Sequence, residues 1–237
     1  MNPDVAHRLA ELADRYGLRA TAADRLAMLL DLVAAEPSAI TTIRSPAQGV
    51  DLHVADSLVA LELPEVRGAR RIADLGSGGG FPGLVLAVAL PDARVALVES
   101  IGRKVSFTRR AIERLEIENA EAIQARAEAW PEGLGVHDLV TARALAPLPV
   151  LVEYAAPLLA LGGSLVAWKG ARDRAEEADG RAAAAALGMK ELQVRPVAPF
   201  RAARDRHLYL SSKVSPTPSI YPRRPGIARK RPIRASS

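Results

Sequence analysis

From residue 70 onward, short apolar segments typical of β-strands alternate with longer segments whose apolar residues recur at helical spacing. The predicted strands are 70–76, 93–100, 120–126, 137–143, 163–170, 192–198 and 206–214, and the predicted helices are 82–90, 103–117, 148–160 and 172–187. This alternation is typical of an α/β fold, a mostly parallel sheet with helices on both faces. The last two strands have no helical pattern between them, so we expect them to pair antiparallel.

The first 62 residues are predicted to be helical. Apolar residues at helical spacing occupy 3–16 and 22–35, and a third such pattern covers about 50–62. We expect these helices to cover the sheet as a cap. The predicted organisation is a helical cap (1–62), an α/β domain (63–214) and a basic, proline-rich tail (215–237).

The positive charge of the chain is concentrated near its C-terminal end. The net charge is +5, yet residues 195–237 contain eleven of the 32 Lys and Arg residues and a single acid, Asp205. Such asymmetry favours a nucleic-acid or membrane partner. The tail has a proline every few residues, and proline stops helices, so an extended basic strap is favoured over an amphipathic membrane-surface helix.

The absence of cysteine and of long apolar segments excludes several kinds of site and predicts where the protein works. The chain has no cysteine, which excludes disulfides, cysteine-ligated zinc and thiol nucleophiles. The N-terminal segment carries charges throughout and has no apolar stretch of the kind found in signal peptides. The longest apolar run, 83–90, is far shorter than a membrane span. We therefore expect a cytoplasmic protein.

The segment ADLGSGGGFPG (73–83) follows the first predicted strand, where a glycine-rich loop usually holds a ligand. A phosphate-binding P-loop requires Lys and then Ser or Thr after its last glycine. Leu84 and Val85 stand there, which excludes a P-loop.

The dinucleotide fingerprint GxGxxG does match residues 78–83, and Glu99 supplies the acid about 20 residues on. Two features argue against it. The carboxylate of Asp74 would repel a pyrophosphate, and Phe81 with its following proline puts bulk where a helix N-terminus should meet that pyrophosphate.

S-adenosylmethionine suits the same loop better, because this ligand has no phosphate and carries a sulfonium and an ammonium group. Asp74 is then placed to attract the ammonium or its water shell. Gly76 and Gly78 allow close approach of the backbone, and Glu99 can accept both ribose hydroxyls. A strand–turn–helix unit with no ligand is the remaining alternative.

The sequence also resembles the glucose-inhibited division protein B family of small-subunit ribosomal RNA guanine-N7 methyltransferases. The resembling segments span almost the whole chain: TTIRSPAQGVDLHVADSL (41–58), IADLGSGGGFPG (72–83), LVESIGRKVSFTR (97–109), ARAEAW (125–130), VTARALAPL (140–148), LVAWKG (165–170) and KVSPTPSIYPRRPGIARKRPI (213–233). The tail is the most specific of them, since generic methyltransferases lack it.

This resemblance implies a class I methyltransferase (Rossmann-like) fold, a seven-stranded sheet with an N-terminal helical cap. It implies S-adenosylmethionine as cofactor and nitrogen 7 of a guanine in small-subunit (16S) ribosomal RNA as acceptor. Carried over by position, the cofactor contacts are Gly76, Phe81, Ala127, Glu128 and Arg143. The implied partner is small-subunit ribosomal RNA or the small ribosomal subunit, with no membrane, no metal and a monomeric protein.

The chemistry of this acceptor agrees with the residues present. Nitrogen 7 of guanine has a lone pair and no proton, so attack on a methyl group needs no general base, and no His lies within the loop motifs. Catalysis is then expected to come mainly from alignment. Arg143 or Lys169 is expected to orient the base through its carbonyl oxygen. His53 and Asp56 share a helix face, which favours a structural pair over a catalytic one.

A set of basic and aromatic residues is predicted to contact RNA by phosphate contact and stacking. These residues are Arg103, Lys104, Lys169, Lys213, Tyr221, Arg223, Arg224, Arg229, Lys230 and Arg231. A disordered solubilising tail is the alternative for the C-terminal members. Two other functions stay open at this point: a non-catalytic RNA-binding protein on a methyltransferase scaffold, and a nicotinamide-dependent enzyme.

Overall fold

The computed structural model describes residues 2–235. The helices are α1 (Pro3–Tyr16), α2 (Ala22–Ala35), α3 (Pro46–Gly49), α4 (Asp56–Leu58), α5 (Pro64–Arg67), α6 (Gly83–Ala89), α7 (Gly102–Arg114), α8 (Leu148–Ala155), α9 (Arg174–Ala186) and α10 (Ile227–Lys230). The strands are β1 (Arg71–Leu75), β2 (Arg94–Glu99), β3 (Ala120–Gln124), β4 (His137–Arg143), β5 (Leu159–Lys169), β6 (Gln193–Pro196) and β7 (His207–Ser212).

The seven strands form one sheet in the order β3-β2-β1-β4-β5-β7-β6. The pairs among β1 to β5 are parallel, and β7 runs antiparallel to both β5 and β6. The predicted fold class is therefore confirmed, and so is the antiparallel pairing of the last two strands.

Side-chain alternation in the strands builds two cores. In β1, Ile72 faces one core and Ala73 the other, and in β2 Leu97 and Val98 divide in the same way. Because both faces of the sheet are covered, the central strands are apolar on both sides.

The N-terminal helices pack on one face of the sheet together with α6 and α7. Asn2 caps α1 by accepting a bond from the backbone N–H of Asp4, and Gly17 ends the helix in a left-handed conformation. Leu9 of α1 and Leu26 of α2 are fully buried in the core that also holds Ile72. The cap thus shares its core with the sheet, and the boundaries after 62 and 214 stay predictions.

The third predicted helical segment is irregular. A π-helical turn, Val50–Ala55, lies between α3 and α4, and a 3₁₀ turn, Val59–Glu62, follows. π-turns inside helices occur frequently at functional sites. This turn places His53 and Asp56 beside the carboxyl ends of the central strands, as described below.

The connection between α8 and β5 differs from the prediction. The helix stops at Ala155 instead of 160, and β5 starts at Leu159 instead of 163. Pro157 explains the early stop, because proline has no N–H to continue a helix. The freed residues extend β5, whose register against β4 shifts between His137 and Leu139.

The tail packs against the α/β domain and contains one helical turn, α10. Arg223 forms an ion pair with the buried carboxylate of Glu153, and the backbone N–H of Ala235 donates to Asp179. The prediction of a strap extended throughout is therefore wrong at α10, where the run 227–230 contains no proline. These contacts favour a docked segment over a disordered one.

Candidate active site

The glycine-rich loop follows β1, which has β2 on one side and β4 on the other. In open α/β sheets, ligands bind outside the carboxyl ends of the strands at such a change in strand order. Gly76, Gly78 and Gly80 have φ angles of 67°, 55° and 89°, a region that favours glycine. The loop is fixed by the N–H of Gly76, which donates to the carbonyl of Val98 over 2.8 Å.

Asp74 stabilises this loop from inside the protein. Its side chain is fully buried, and its two oxygens accept bonds from the Gly83 N–H at 3.0 Å and the Thr141 hydroxyl at 2.8 Å. Burial raises the pKa of Asp74 to about 7, although both bonds act in the opposite direction. Asp74 therefore shapes the loop from within the protein, and its expected role in attracting the ammonium group or its water shell stays a prediction.

Glu99 lies at the end of β2 and faces the same loop. One carboxylate oxygen accepts the N–H of Gly78 at 3.2 Å and the other the N–H of Ile101 at 2.9 Å. The ammonium of Lys104 lies 3.9 Å from this carboxylate. Lys104, predicted to contact RNA, is thus an ion-pair partner of Glu99 in this structure.

A cleft at the ends of β1, β2 and β3 brings several predicted cofactor residues together. Its lining includes Gly76, Glu99, Ala127 and Glu128, and also Leu145, Tyr154 and Arg229. Sequence patterns did not point to Tyr154, and they predicted only RNA contact for Arg229.

These residues fit S-adenosylmethionine. The Glu99 carboxylate suits a ligand that offers hydroxyl donors, as a ribose does. A Cβ built on Gly76 would lie 2.6 Å from Leu145, so glycine is needed for the backbone to border the cleft. Glu99 and Glu128 place two carboxylates in the lining beside Arg126 and Arg229, so the cleft can face the sulfonium and ammonium groups of this ligand as well as its carboxylate.

Phe81 and Arg143 lie outside that cleft lining and contact each other. The ring of Phe81 is 5% exposed and stacks on His53, with centroids 4.1 Å apart, and the Arg143 guanidinium lies 5.6 Å from the same ring. Arg143 also donates to His53 Nδ1 over 3.4 Å, and His53 Nε2 faces the carbonyl of Ile43 at 3.0 Å. Burial lowers the pKa of His53, which agrees with a neutral ring between these partners.

Asp56 fixes Arg143 from the other side. Its carboxylate accepts a 2.9 Å bond from Arg143, and its backbone carbonyl accepts the indole N–H of Trp168 at 2.6 Å. Arg206 lies 3.8 Å from the same carboxylate. His53 and Asp56, predicted as a structural pair, therefore act through a shared contact with Arg143.

A second cavity, of about 200 Å³, opens beside this cluster. It is lined by Asp56, Arg143, Ala144, Trp168, Lys169, Gly170, Val197, Arg206 and His207. Lys169 is half-buried there and pairs with Glu176 at 2.6 Å. Sequence patterns did not point to Trp168, Arg206 or His207 as site residues. The signal that could have found them is their position at or beside the ends of β5 and β7.

Lys213 belongs to the fold and not to an RNA-facing surface. Its ammonium is buried and donates to the carbonyls of Ala156 and Leu159, each over 2.7 Å. The prediction that Lys213 contacts RNA is wrong, because its buried ammonium is bound to these two carbonyls, which lie between the end of α8 and the start of β5.

Another groove, with a volume of about 1300 Å³, lies elsewhere, along the sheet beside β3. It exists because two 3₁₀ turns, Ala127–Ala129 and Pro131–Gly133, connect β3 to β4 and no long helix covers this face. Arg71 and Arg94 at the amino ends of β1 and β2 border it, so the groove lies away from the loop end of the sheet.

Residues 2–235 contain no helix that is long and apolar enough to cross a bilayer. Within the same range, His, Asp and Glu residues do not gather in a group of three or more suited to a metal ion.

Comparison with known proteins assigns the family. The sequence model of GidB, described as rRNA small subunit methyltransferase G, matches residues 23–209. The chain belongs to the rRNA small subunit methyltransferase G family. The expected family is thus confirmed, the chain is a methyltransferase, and neither a nicotinamide enzyme nor a non-catalytic RNA-binding protein is favoured.

Similarity to individual proteins supports the same family assignment. The ribosomal RNA small subunit methyltransferase G of Rubrobacter xylanophilus is 43% identical over 188 residues, 77% of this chain and 72% of the relative. That of Deinococcus radiodurans is 37% identical over 239 residues, 98% of this chain and 94% of the relative.

A solved structure supports the fold. An S-adenosylmethionine-dependent O-methyltransferase from Thermotoga maritima superposes with a TM-score of 0.54 at 18% identity, covering 79% of this chain and 71% of the other. The sheet is therefore that of the class I methyltransferases.

Proposed function

We propose that this chain transfers a methyl group from S-adenosylmethionine to nitrogen 7 of a guanine in small-subunit (16S) ribosomal RNA. The supporting observation is the position of Arg143, which contacts Phe81 of the glycine loop on one side and lines the second cavity on the other. The cofactor cleft and a base-sized cavity are lined by consecutive residues just after β4, Leu145 and Ala144, in a chain of the methyltransferase G family.

S-adenosylmethionine supplies a methyl group on a positively charged sulfur. The chain's own part is to position the acceptor, since nitrogen 7 has a free lone pair and no proton to remove. Arg143 is held by Asp56, His53 and the carbonyl of Leu52, so its guanidinium keeps one orientation. A fixed donor of this kind orients the carbonyl oxygen of guanine, and alignment supplies the main rate gain.

Lys169 is the second orienting group in this proposal. Its ion pair with Glu176 places the ammonium at the rim of the second cavity and compensates its charge. This compensation matters because the guanine ring becomes positive as the new bond forms, and an unpaired cation nearby would oppose that charge.

RNA is held by the exposed basic residues in this proposal. Arg103 on α7 and Arg224, Lys230 and Arg231 in the tail are exposed and suited to phosphate contacts. Tyr221 is half-buried and lies beneath the Arg223 guanidinium at 5.6 Å. The substrate is small-subunit RNA, free or assembled, in the cytoplasm; a monomeric, metal-free enzyme stays a prediction.

The test incubates the purified protein with methyl-tritiated S-adenosylmethionine and, separately, naked small-subunit RNA and small subunits from cells lacking the modification. Labelled RNA is then reduced and cleaved at 7-methylguanosine. Label at one guanine, in either substrate, is the expected result.

Two variants make this test specific. Asp74→Ala removes the acceptor of the hydrogen bonds from Gly83 and Thr141 and should abolish cofactor binding in calorimetry. Asp51→Asn, a change on the cap, should bind the cofactor as the wild type does. Cofactor binding without label at nitrogen 7 would move the acceptor elsewhere, and unchanged affinity in Asp74→Ala would contradict the proposed role of the loop.

A further inference from the structure

The C-terminal tail contacts two residues of the cofactor cleft. The backbone N–H of Gly226 donates to the Glu128 carboxylate at 2.9 Å, and the Arg229 guanidinium donates to the carbonyl of Leu145 at 2.8 Å. Both acceptors line the cleft, and Arg229 lines it directly.

Buried contacts fix this part of the tail in place. Arg223 pairs with Glu153, whose side chain is only 2% exposed, and also donates to the carbonyl of Arg231 over 2.9 Å. Ala228, in the middle of α10, is 3% exposed and belongs to the core that holds α8. The segment between Arg223 and Arg231 is therefore anchored at both ends and in its centre.

The two tail contacts reach two different parts of the cleft lining. Leu145 packs against the glycine loop, since a Cβ on Gly76 would lie 2.6 Å from its side chain. Glu128 lies on the 3₁₀ turn after β3. Tyr154 lines the same cleft, and burial and then Glu128 raise its pKa, whereas Arg229 lowers it.

We propose that residues 221–231 form one wall of the cofactor site, in which Arg229 positions Leu145 and the Gly226 N–H positions Glu128. This inference rests on the proposed use of S-adenosylmethionine. Arg229 is a positioning residue here, because it acts through Leu145 and the cleft shape. The same segment carries the bases predicted to contact RNA, so binding of RNA to the tail and binding of cofactor to the cleft are coupled, and the coupling is reciprocal.

The first experiment measures the affinity of the full chain for S-adenosylhomocysteine by calorimetry, without RNA. Arg229→Ala should weaken binding by about tenfold, the effect of one lost hydrogen bond to a charged group. The matched control is Arg234→Ala, which removes the same charge from an exposed position in the same tail and should stay within about twofold of the wild type by the same scale.

The second experiment uses the unaltered protein and limited trypsin digestion. Trypsin cleaves after Arg229 and after Lys230, whereas Pro225 and Pro232 protect the bonds after Arg224 and Arg231. S-adenosylhomocysteine should slow cleavage at 229–231 relative to a ligand-free sample, because it closes the site against the tail.

The outcomes separate this inference from the function on which it rests. Wild-type protein that binds no S-adenosylhomocysteine would overturn both. Wild-type binding with equal affinity in Arg229→Ala, or trypsin cleavage at 229–231 that ligand does not change, would overturn the tail's role alone.

Discussion

The carboxylate of Asp74, at the end of β1, accepts a 3.0 Å hydrogen bond from the backbone N–H of Gly83, at the start of α6. This bond spans the whole glycine-rich loop and closes it. The second oxygen of Asp74 is bonded to Thr141 of β4, so one buried acid on β1 connects the end of the loop with the neighbouring strand β4. The loop's shape therefore depends on a side chain that is fully buried and does not line the cleft.

Gly83→Ala tests this closure. A Cβ at Gly83 would lie 2.6 Å from Asp74 Oδ2 and 2.9 Å from Leu97, so the bond has to break or shift. We expect the free energy of unfolding to fall by about 1–3 kcal/mol, as for overpacked cores, and the affinity for S-adenosylhomocysteine to fall with it. Chemical denaturation and calorimetry measure the two effects.

Gly79→Ala is the control within the same loop. A Cβ there would make ordinary contacts of 3.7 Å with Ile40 and Phe81, and the backbone of Gly79 is not left-handed. If both variants were equally stable and bound ligand equally well, the Asp74–Gly83 bond would have no special role.

Asp56→Asn tests the positioning of Arg143. The amide keeps the size of the carboxylate but loses its charge, so the 2.9 Å contact becomes weaker and Arg143 less fixed. We expect kcat for RNA methylation to fall by about ten- to a hundredfold, as misplacement in a site that works by alignment would cause. Affinity for S-adenosylhomocysteine should be preserved, because Asp56 lines the second cavity and not the cofactor cleft.

Asp51→Asn on the same helical segment is the matched control, since its carboxylate faces Arg8 at the surface. A loss of cofactor affinity in Asp56→Asn equal to the loss in kcat would contradict a role confined to the acceptor side.

Local sequence patterns were sufficient to predict the sheet, because periodicity and glycine spacing are local properties of the chain. Glu99 and Gly76 were predicted as cofactor residues for the same reason, since each lies at the carboxyl end of a predicted strand, and both line the cleft. The π-helical turn that aims Asp56 at Arg143 has no local signature, and the two residues are far apart in sequence.

The tail shows the same limit from the other direction. The charge of the C-terminal segment predicted RNA contact for Lys213 and Arg223 as it did for the exposed bases, but Lys213 is bound by the carbonyls of Ala156 and Leu159, and Arg223 by Glu153 of α8. Those acceptors become available only when the fold brings residues 153–159 to the tail. Charge counts therefore predict a basic surface without showing which cations the fold itself uses.

The exposed tail bases predict the salt dependence of RNA binding. Each phosphate contact that is lost should reduce the magnitude of the slope of log affinity against log salt by about 0.7–0.9. Arg224→Ala, Lys230→Ala and Arg231→Ala combined should therefore lower the slope by about 2–3 if all three contact phosphate. Fluorescence anisotropy with labelled small-subunit RNA at several salt concentrations measures it, with Arg8→Ala on the cap as control. An unchanged slope would contradict the role of the tail in RNA binding.

His137 predicts how stability changes with pH. It is 5% exposed, lies edge-on to Trp130 with ring centroids 5.1 Å apart, and its Nδ1 has no hydrogen-bond partner among residues 2–235. Burial lowers its pKa from 6.5 to about 4, with Asp138 acting against this shift and Arg71 adding to it. The unfolded chain therefore binds a proton between pH 6.5 and 4 that the folded chain does not, and stability is lost as pH falls through this range.

The size of this effect follows from the shift. The free energy of unfolding has fallen by about 3 kcal/mol when the pH reaches the folded-state pKa of His137. His137→Phe keeps an aromatic ring beside Trp130 and removes the titrating group, so its unfolding free energy should fall less than that of the wild type between pH 7 and 4. Urea denaturation at a series of pH values measures the difference, and because every other titrating group is common to both proteins, parallel curves would mean that His137 is not the group responsible.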